Sequence, residues 1–590
     1  MKTRLYGNFL ICIILAASSQ VTEAQIENGT AHHTINANDV SFRFSNSGDM
    51  VKDGFLKYTH TGDQSFLKSL AFWKGGYDLG DNTKLLRAGN ISDGSDLSPG
   101  PLSDDGITNE ETSRNWDRIF YVTRSDLSEY FDLYKHAQST NEDLDIANVP
   151  DNIKYWPAKG NPYFQEHYNF ELPNQDLAQF YDSDRDGNYD PVKGDFPTIR
   201  SFVLYPNSMR PDEFPSELAF FINNDNGIQR SLNRNLPSQT EIHTYVFQYD
   251  QPCLKNTTYI EHFVINRAES ITYKDHLGLY VDGDIGCPKD DYIGKVEDDD
   301  LYFFYNSVEV EDSCEEPLNE ELPLLLFGKV IFPYAPRVYV RDMNGNIITV
   351  EGEVQITDPP ASDPLSLDTL IEVPTGSFLP IYDDQVMSDE DYMYLLDGRY
   401  LNGRPFTVGG DGFEDAGDTT SIVFDGNPSD PEEWSMCTAG VSDWDANFLM
   451  STEHIVLQPT AINRILYSID IIDNIELPCP DLEKQLKDRQ FYINNWLRFP
   501  EIFNMGCTTR NNEVEKKVSI KVYPNPTSDI IQIEGEIENG QYLILDVHGR
   551  PMQVGLIKDG SIDISTLPPA CYLVKIFASG RSFTEKIVKL

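Results

Sequence analysis

The sequence predicts a mainly β protein: a large β-sandwich-like body with few helices, followed by a small C-terminal immunoglobulin-like β-sandwich. Two observations lead there. Thr257–Arg267, His276–Val281, Leu301–Tyr305, Gly328–Phe332, Arg337–Arg341 and Arg464–Ile471 are short, rich in β-branched and aromatic residues, and separated by turn residues. The charge is also split. The net charge is −49 over 590 residues, yet from Glu515 onward nine basic residues balance nine acidic ones, so the whole excess lies before that point. Such a composition break places a domain boundary near 511–517, with an acidic body over 25–510 and a tail over 511–590.

At 40% apolar and 12% aromatic residues the chain has ample material for sizeable cores. The acidity excludes nucleic acid and anionic membranes as partners by repulsion, and leaves cations, glycan, matrix and basic surfaces.

Taken in order, Lys2 and Arg4 precede the apolar run Phe9–Ala17, and Thr22-Glu23-Ala24 offers small residues for cleavage. This predicts a signal peptide over 1–24 and a mature start near Gln25. No later stretch is long and apolar enough to cross a bilayer, so no transmembrane segment is expected. His32-His33 falls in a polar stretch expected to be mobile. Val40–Phe44 alternates as a strand, Ser65–Trp73 carries a second apolar run, and Gly75-Gly76 is expected to turn the chain. Leu97–Leu102 reads as a loop. Asn115–Tyr134 mixes strand and helix, with Ser125 the candidate N-cap. Pro359–Pro364 reads as a linker. One helix is predicted at Leu482–Leu497, capped by Asp481, with Leu482, Leu486, Ile493, Trp496 and Leu497 on one face.

After signal removal seven cysteines remain: Cys253, Cys287, Cys314, Cys437, Cys479, Cys507 and Cys571. By proximity the expected bridges are Cys287 with Cys314 and Cys479 with Cys507, leaving Cys571 a lone buried thiol. No Cys-x-x-Cys occurs, so a structural zinc site is not expected.

The sharpest chemical signal is Asp182-Ser183-Asp184-Arg185-Asp186-Gly187-Asn188-Tyr189-Asp190. Carboxylates at alternate positions before a glycine let a tight loop wrap one hard cation, with Asp182, Asp184, Asp186 and Asp190 as carboxylate ligands, Asn188 through its carbonyl and Asp195 as an extra ligand. The spacing suits calcium. An EF-hand would place glutamate where Lys193 stands, so the loop is more similar to the helix-free calcium loops of dockerin-type and thrombospondin type 3 repeats. A weaker set is Asp282, Asp284, Asp290 and Asp291, crowded carboxylates for which a cation is one solution and exposure another. Asn223–Gly227 and Gly409–Asp415 read as turns.

No Gly-x-Ser-x-Gly, His-Glu-x-x-His or phosphate-binding glycine loop is present. His243 and His262 lie in predicted strands and read as packed or surface residues, not catalysts. A glycosidase needs only two suitably spaced carboxylates, and among 95 acidic residues the pair cannot be picked. Whether the protein is an enzyme is left open. The reading is an exported, calcium-stabilised protein with a non-catalytic binding or adhesion role towards glycan or matrix. The alternative is a secreted hydrolase of polysaccharide or protein that uses carboxylates on the β scaffold. Tyr155, Trp156, Tyr163 and Phe164 are candidate sugar platforms, with a core role as the competing reading.

The tail predicts strands at Ser519–Tyr523, Ile530–Ile533, Tyr542–Val547, Tyr572–Phe577 and Thr584–Lys589. The prolines of Tyr523-Pro524-Asn525-Pro526 lack the amide hydrogen a central strand needs. With Leu545-Asp546-Val547-His548-Gly549-Arg550, Leu567–Ile576 and Lys586–Leu590, this tail resembles the type A sorting domain of the type IX secretion system of the Bacteroidota. Ala570 and Cys571 depart from that pattern, where glycine and an aliphatic residue are usual. The resemblance implies sorting residues Tyr523, Pro524, Asn525, Pro526, Asp546, Gly549 and Lys586, the type IX machinery as partner, and delivery to the cell surface or the medium. In the body, Trp156–Asn161, Asp182–Pro197, Asp284–Gly294, Gly403–Phe413 and Phe448–Thr452 resemble large Bacteroidota secreted proteins of unassigned activity with the same tail. That likeness implies one unit and no reaction.

Overall fold

The computed structural model describes most residues from Ile26 to Leu590; outside it lie 1–25, 89–95, 200–213, 228–235, 309–322, most of 330–374, 382–387, 442–446, most of 483–520, 535–540, 546–550 and some shorter stretches. The protein is mostly β. A nine-stranded sheet is centred on Glu217–Asn224, Thr240–Gln248, Thr257–Asn266 and Ile462–Ile472, antiparallel neighbours in that order. A six-stranded sheet is built on Leu67–Asp78 and Thr272–Gly283, flanked by Asn447–Thr452 and Thr375–Ile381.

Side chains alternate across a strand, so a strand covered on both faces must be apolar throughout. Along Glu217–Asn224, Ala219 and Phe221 join a core shared with the six-stranded sheet, whereas Leu218, Phe220 and Ile222 join a second core on the opposite face. That second face is covered by the helix Arg124–Thr140, through Leu127, Tyr130 and Phe131, and by Trp156, Phe164, Tyr189 and Phe196. The body therefore has three layers: the six-stranded sheet, the nine-stranded sheet, and an outer layer of helix and loop. Each fully buried large apolar side chain contributes on the order of 1.5–3 kcal/mol. Trp156 and Phe164 are thus core residues and not sugar platforms. Tyr155 stacks on His167 with ring centroids 4.1 Å apart.

Several local expectations are corrected. Gly75-Gly76 does not turn the chain: Leu67–Asp78 is one continuous strand. Gly76 is required there because a Cβ would stand 2.0 Å from Asp275 Oδ1 on the neighbouring strand. The helix is capped by Thr123 and not by Ser125. The strand Phe120–Thr123 runs straight into it, and the Thr123 hydroxyl accepts from Asp126 N while the Asp126 carboxylate accepts from Thr123 N, a reciprocal capping box. Ser98–Pro99 is not loop but pairs with the edge of Glu217–Asn224, a position where proline's missing donor costs nothing. His32-His33 is strand, paired with Val40–Ser45, and His33 Nε2 lies 2.6 Å from Glu217 Oε1.

Cys479 bonds to Cys437 and not to Cys507, because the chain after Ile462–Ile472 returns beside the short helix Met436–Ala439. Cys253 and Cys287 are also disulfide-bonded, and Cys314 lies outside the described residues. Cys571 is a free thiol but only half buried, in the strand Cys571–Ala578. Most of the predicted helix Leu482–Leu497, the linker Pro359–Pro364 and the boundary at 511–517 lie outside the described residues, as does most of Arg337–Arg341.

The tail forms a three-stranded and a four-stranded sheet that share one core, including Ile531, Ile544, Ile562, Val574, Ile576 and Ile587. Two of its strands, Pro551–Leu556 and Ser561–Asp563, were not predicted.

Candidate metal and ligand sites

The acidic loop Asp182–Asp195 belongs to the outer layer. Its ends are closed by a two-residue ladder, Phe180–Tyr181 on Phe196–Pro197. Its turns need positive φ, supplied by Gly187 and Gly194 and adopted also by Arg185. Asp182 accepts from Arg185 N at 2.6 Å through Oδ1 and from Gly187 N at 2.8 Å through Oδ2. Asp195 reaches back across the loop, accepting from Ser183 N at 2.7 Å and Asp190 N at 2.8 Å.

The outcome is that Asp182, Asp184 and Asp195 each bring a carboxylate oxygen within 4.8 Å of the others. Asp186 is turned to Lys193, whose Nζ lies 2.5 Å from it and 3.3 Å from Asp184. Asp190 accepts from Val192 N at 3.0 Å and caps the short turn that follows, and Asn188 N donates to Asp186. Asp195 is fully buried; burial pushes its pKa up, the backbone donors oppose that, and the charges of Asp182 and Asp184 add to it, leaving it at about 6. A third carboxylate in this position is electrostatically costly without a cation. The all-oxygen donor set fits a hard ion such as calcium, and Lys193 already supplies one positive charge to the same group.

The second acidic set sits where Thr272–Gly283 ends and Asp291–Lys295 begins. Asp291 Oδ2 accepts from Ile285 N at 2.9 Å, and Asp284 Oδ2 lies 3.2 Å from Lys68 Nζ. Asp282 stands opposite Asn447, whose buried Oδ1 meets no hydrogen-bond donor among the described residues. Asp290 lies in the turn before Asp291 and its backbone oxygen accepts from Ser307 N. By contrast Asp225, in the Asn223–Gly227 turn, is a buried anchor that accepts from Ser238 N and Thr240 N, both at 2.8 Å.

A second three-residue constellation was not legible in the sequence. On the six-stranded sheet, the register runs Gly278 opposite Ser451 and Asp275 opposite Ile455, which sets His276 across from His454. The helix Asp389–Leu396 lies over these strands, its Leu396 carbonyl accepting from Ser451 Oγ at 2.6 Å. Gly278 makes room for it, since a Cβ there would meet the Leu396 side chain at 2.7 Å. The C-cap of this helix is Asp397. A carboxylate at that end faces the negative pole of the helix dipole and needs cationic company. Arg399 supplies it, 3.5 Å from Oδ2, while Oδ1 lies 3.3 Å from His454 Nε2 and 3.6 Å from His276 Nε2. Burial would raise the Asp397 pKa, but the histidines and Arg399 outweigh it and hold the carboxyl well below the usual range.

These three side chains line a cleft of about 520 Å³, walled by Tyr77, Tyr273 and Tyr394 and by Lys84, Lys274 and Arg399. Its second carboxylate, Glu390, is ion-paired to Lys84 at 2.9 Å, and that hydrogen bond lowers its pKa. His243 and His262 are in strands, as expected, and both are buried.

In the tail, the Asn525 side chain donates to Lys586 O at 2.6 Å and accepts from Val588 N at 2.9 Å, and Leu590 N donates to Thr527 O at 2.8 Å. The Tyr523–Pro526 motif is thereby tied to the last strand. Tyr523 itself is exposed, and Asp546 and Gly549 lie outside the described residues.

Residues 521–590 match the secretion system C-terminal sorting domain. The protein is therefore a type IX secreted protein, handled by that machinery and delivered to the cell surface or extracellular space. No curated protein matches the chain. Among solved structures, a polysaccharide lyase, BACCELL_00875, is similar at 7% identity and a TM-score of 0.16, over 67% of this chain and 42% of that one. The BSP domain of a biofilm associated protein is similar at 8% identity and a TM-score of 0.12, over 57% of this chain and 78% of that one. The chain thus spans less than half the length of the lyase, and neither likeness is close. Among the described residues, no helix is long and apolar enough to cross a membrane.

Proposed function

We propose that this exported protein is a calcium-stabilised binding protein whose cleft beside His276 takes a polar ligand of the glycan or matrix type. The observation that carries the reading is the cleft itself. In a chain of net charge −49 its wall sets Lys84, Lys274 and Arg399 against only Glu390 and Asp397, with three tyrosines as amphipathic surfaces. Such a wall favours a ligand with hydroxyl and anionic groups.

The hydrolase reading is weaker on the same geometry. A two-carboxylate glycosidase keeps one carboxyl protonated by raising its pKa. Here Glu390 and Asp397 are both held ionised by cationic neighbours. Calcium enters as a stabiliser of the outer layer, through Asp182, Asp184 and Asp195, and not as part of the cleft.

The test is an array of neutral and acidic glycans probed with the mature chain, with and without chelator. Binding to one glycan class that Tyr273→Ala or Tyr394→Ala weakens tenfold or more supports the reading. Absence of binding across the array, or binding indifferent to both substitutions, overturns it.

A further inference from the structure

We infer that His276, Asp397 and His454 are the protein ligands of a divalent transition-metal ion of the zinc class, bound at the floor of the cleft. Two histidine nitrogens and one carboxylate oxygen within 4.8 Å of one another form a mixed nitrogen and oxygen set. Imidazole suits zinc and its neighbours and not calcium, so this site is chemically distinct from the acidic loop.

Three observations point to a cation there. The first is the tautomer of His276. Its Nδ1 lies 2.8 Å from the Thr452 carbonyl oxygen, which only accepts, so Nδ1 carries the hydrogen. In the neutral ring Nε2 is then a bare lone pair, and it faces the carboxylate of Asp397. A proton or a metal ion must stand between these two electron-rich atoms, and at 3.6 Å the gap is too wide for a proton-mediated hydrogen bond. A ligating histidine fixed through its other nitrogen by a backbone carbonyl is the usual outer arrangement of a metal site.

The second is distance. At 3.6 Å the His276 contact with Asp397 is too long for a hydrogen bond, and the His454 contact at 3.3 Å is at the outer limit. Donors held about 2.0–2.1 Å from a tetrahedral ion stand about 3.4 Å from one another, which is the spacing found.

The third is placement. Asp397 sits at the wrong pole of its helix, and its Oδ1 faces both imidazoles while Oδ2 faces Arg399. His276 is anchored in a buried strand, whereas Asp397 and His454 are exposed, so the remaining coordination positions open towards the cleft. With three protein ligands the fourth position is left for water or an oxygen of the bound ligand. The metal site goes beyond the glycan reading and stands or falls without it.

The experiment uses the tag-free mature chain in millimolar calcium, so that hard-cation sites are filled, titrated with cobalt(II) or zinc(II). The expected result is one equivalent of tightly held ion with visible cobalt bands. His454→Gln and Asp397→Asn should each weaken zinc binding about 100-fold or more, since even outer-sphere partners are worth 10- to 100-fold. Both positions are exposed, and a thermal melt confirms that the variants fold. Asp184→Asn should leave zinc binding unchanged. Absence of cobalt bands, or zinc retained equally by the wild type and both cleft variants, overturns the proposal. Loss of zinc on Asp184→Asn overturns it too, by placing the ion in the acidic loop.

Discussion

The acidic loop and the histidine cleft lie on opposite sides of the nine-stranded sheet, and they were built in opposite ways. The loop gathers its carboxylates from one short run of sequence, bent by Gly187 and Gly194 until Asp182, Asp184 and Asp195 converge. The cleft gathers His276, Asp397 and His454 from a strand, a helix end and a turn. A local site depends on its own backbone; a convergent one depends on everything that fixes the register of the sheet beneath it. The two should therefore fail differently.

The largest effect is expected under the cleft. Lys74 and Asp275 form an ion pair at 3.0 Å, with 3% and 0% of the side chains exposed, between the strand that carries His276 and its neighbour Leu67–Asp78. Removing one partner of a buried pair leaves an unsolvated charge, at a cost of about 3–5 kcal/mol. Asp275→Ala should lower stability by that amount in urea denaturation and disturb the cleft. Substituting Lys74→Met and Asp275→Leu together should recover much of the loss. A loss below 1 kcal/mol for Asp275→Ala would mean that the cleft does not depend on its floor.

The loop should respond to solution conditions instead. With a dissociation constant near 10⁻⁴ M, calcium at a hundred times that concentration stabilises the folded state by about 2.7 kcal/mol. Calcium is thus expected to raise the melting temperature of the mature chain, and Asp182→Asn with Asp184→Asn to abolish the rise. Magnesium should act weakly, because the smaller ion demands near-ideal octahedral geometry. Equal responses of wild type and variant would remove the loop as the site.

The sheet between the two regions carries a pH dependence of its own. His262 is buried between Thr244 Oγ1 at 2.9 Å and the Tyr467 hydroxyl at 3.1 Å, and burial pushes its pKa down to about 3. Above pH 6.5 neither folded nor unfolded chain protonates it, and stability is at its full value. Below that the unfolded chain takes up a proton that the folded chain refuses, so stability falls as the pH drops from about 6.5 towards 3. By pH 5 the loss from this one group is about 2 kcal/mol. His262→Gln should flatten that slope, measured as denaturation midpoints between pH 5 and 7.5. An unchanged slope would assign the acid sensitivity elsewhere.

The same contrast governs what the sequence discloses. The β character, the tail and its Tyr523–Pro526 motif, and the candidate loop at Asp182 were legible because each is a property of consecutive residues. Gly75-Gly76 misled because local turn chemistry says nothing of Asp275 on a distant strand, whose side chain needs the space. The sequence pairs Cys479 with its neighbour Cys507, 28 residues on, whereas the fold bonds it to Cys437, 42 residues back. His276 and His454 carried no signal at all, since only the pairing of Thr272–Gly283 with the segment around Ile455 makes them neighbours.

The smallest effect tests how finely the outer layer is determined. The helix Arg124–Thr140 carries Leu127, Tyr130 and Phe131 into the core beneath the acidic loop, and Tyr130 donates to the Pro191 carbonyl at 2.8 Å within it. Its start is fixed by Thr123, so Thr123→Ala should cost about 1 kcal/mol, while Ser125→Ala, inside the first turn and not at the cap, should stay within about 0.5 kcal/mol. Because the helix supports the loop from below, the Thr123 variant should also need more calcium to reach its plateau melting temperature. The cleft, on the other side of the sheet, should keep its ligand and metal affinity. Were the cleft to weaken as well, the two regions would be coupled through the nine-stranded sheet, and the division between a locally built site and a convergent one would give way to a single cooperative body.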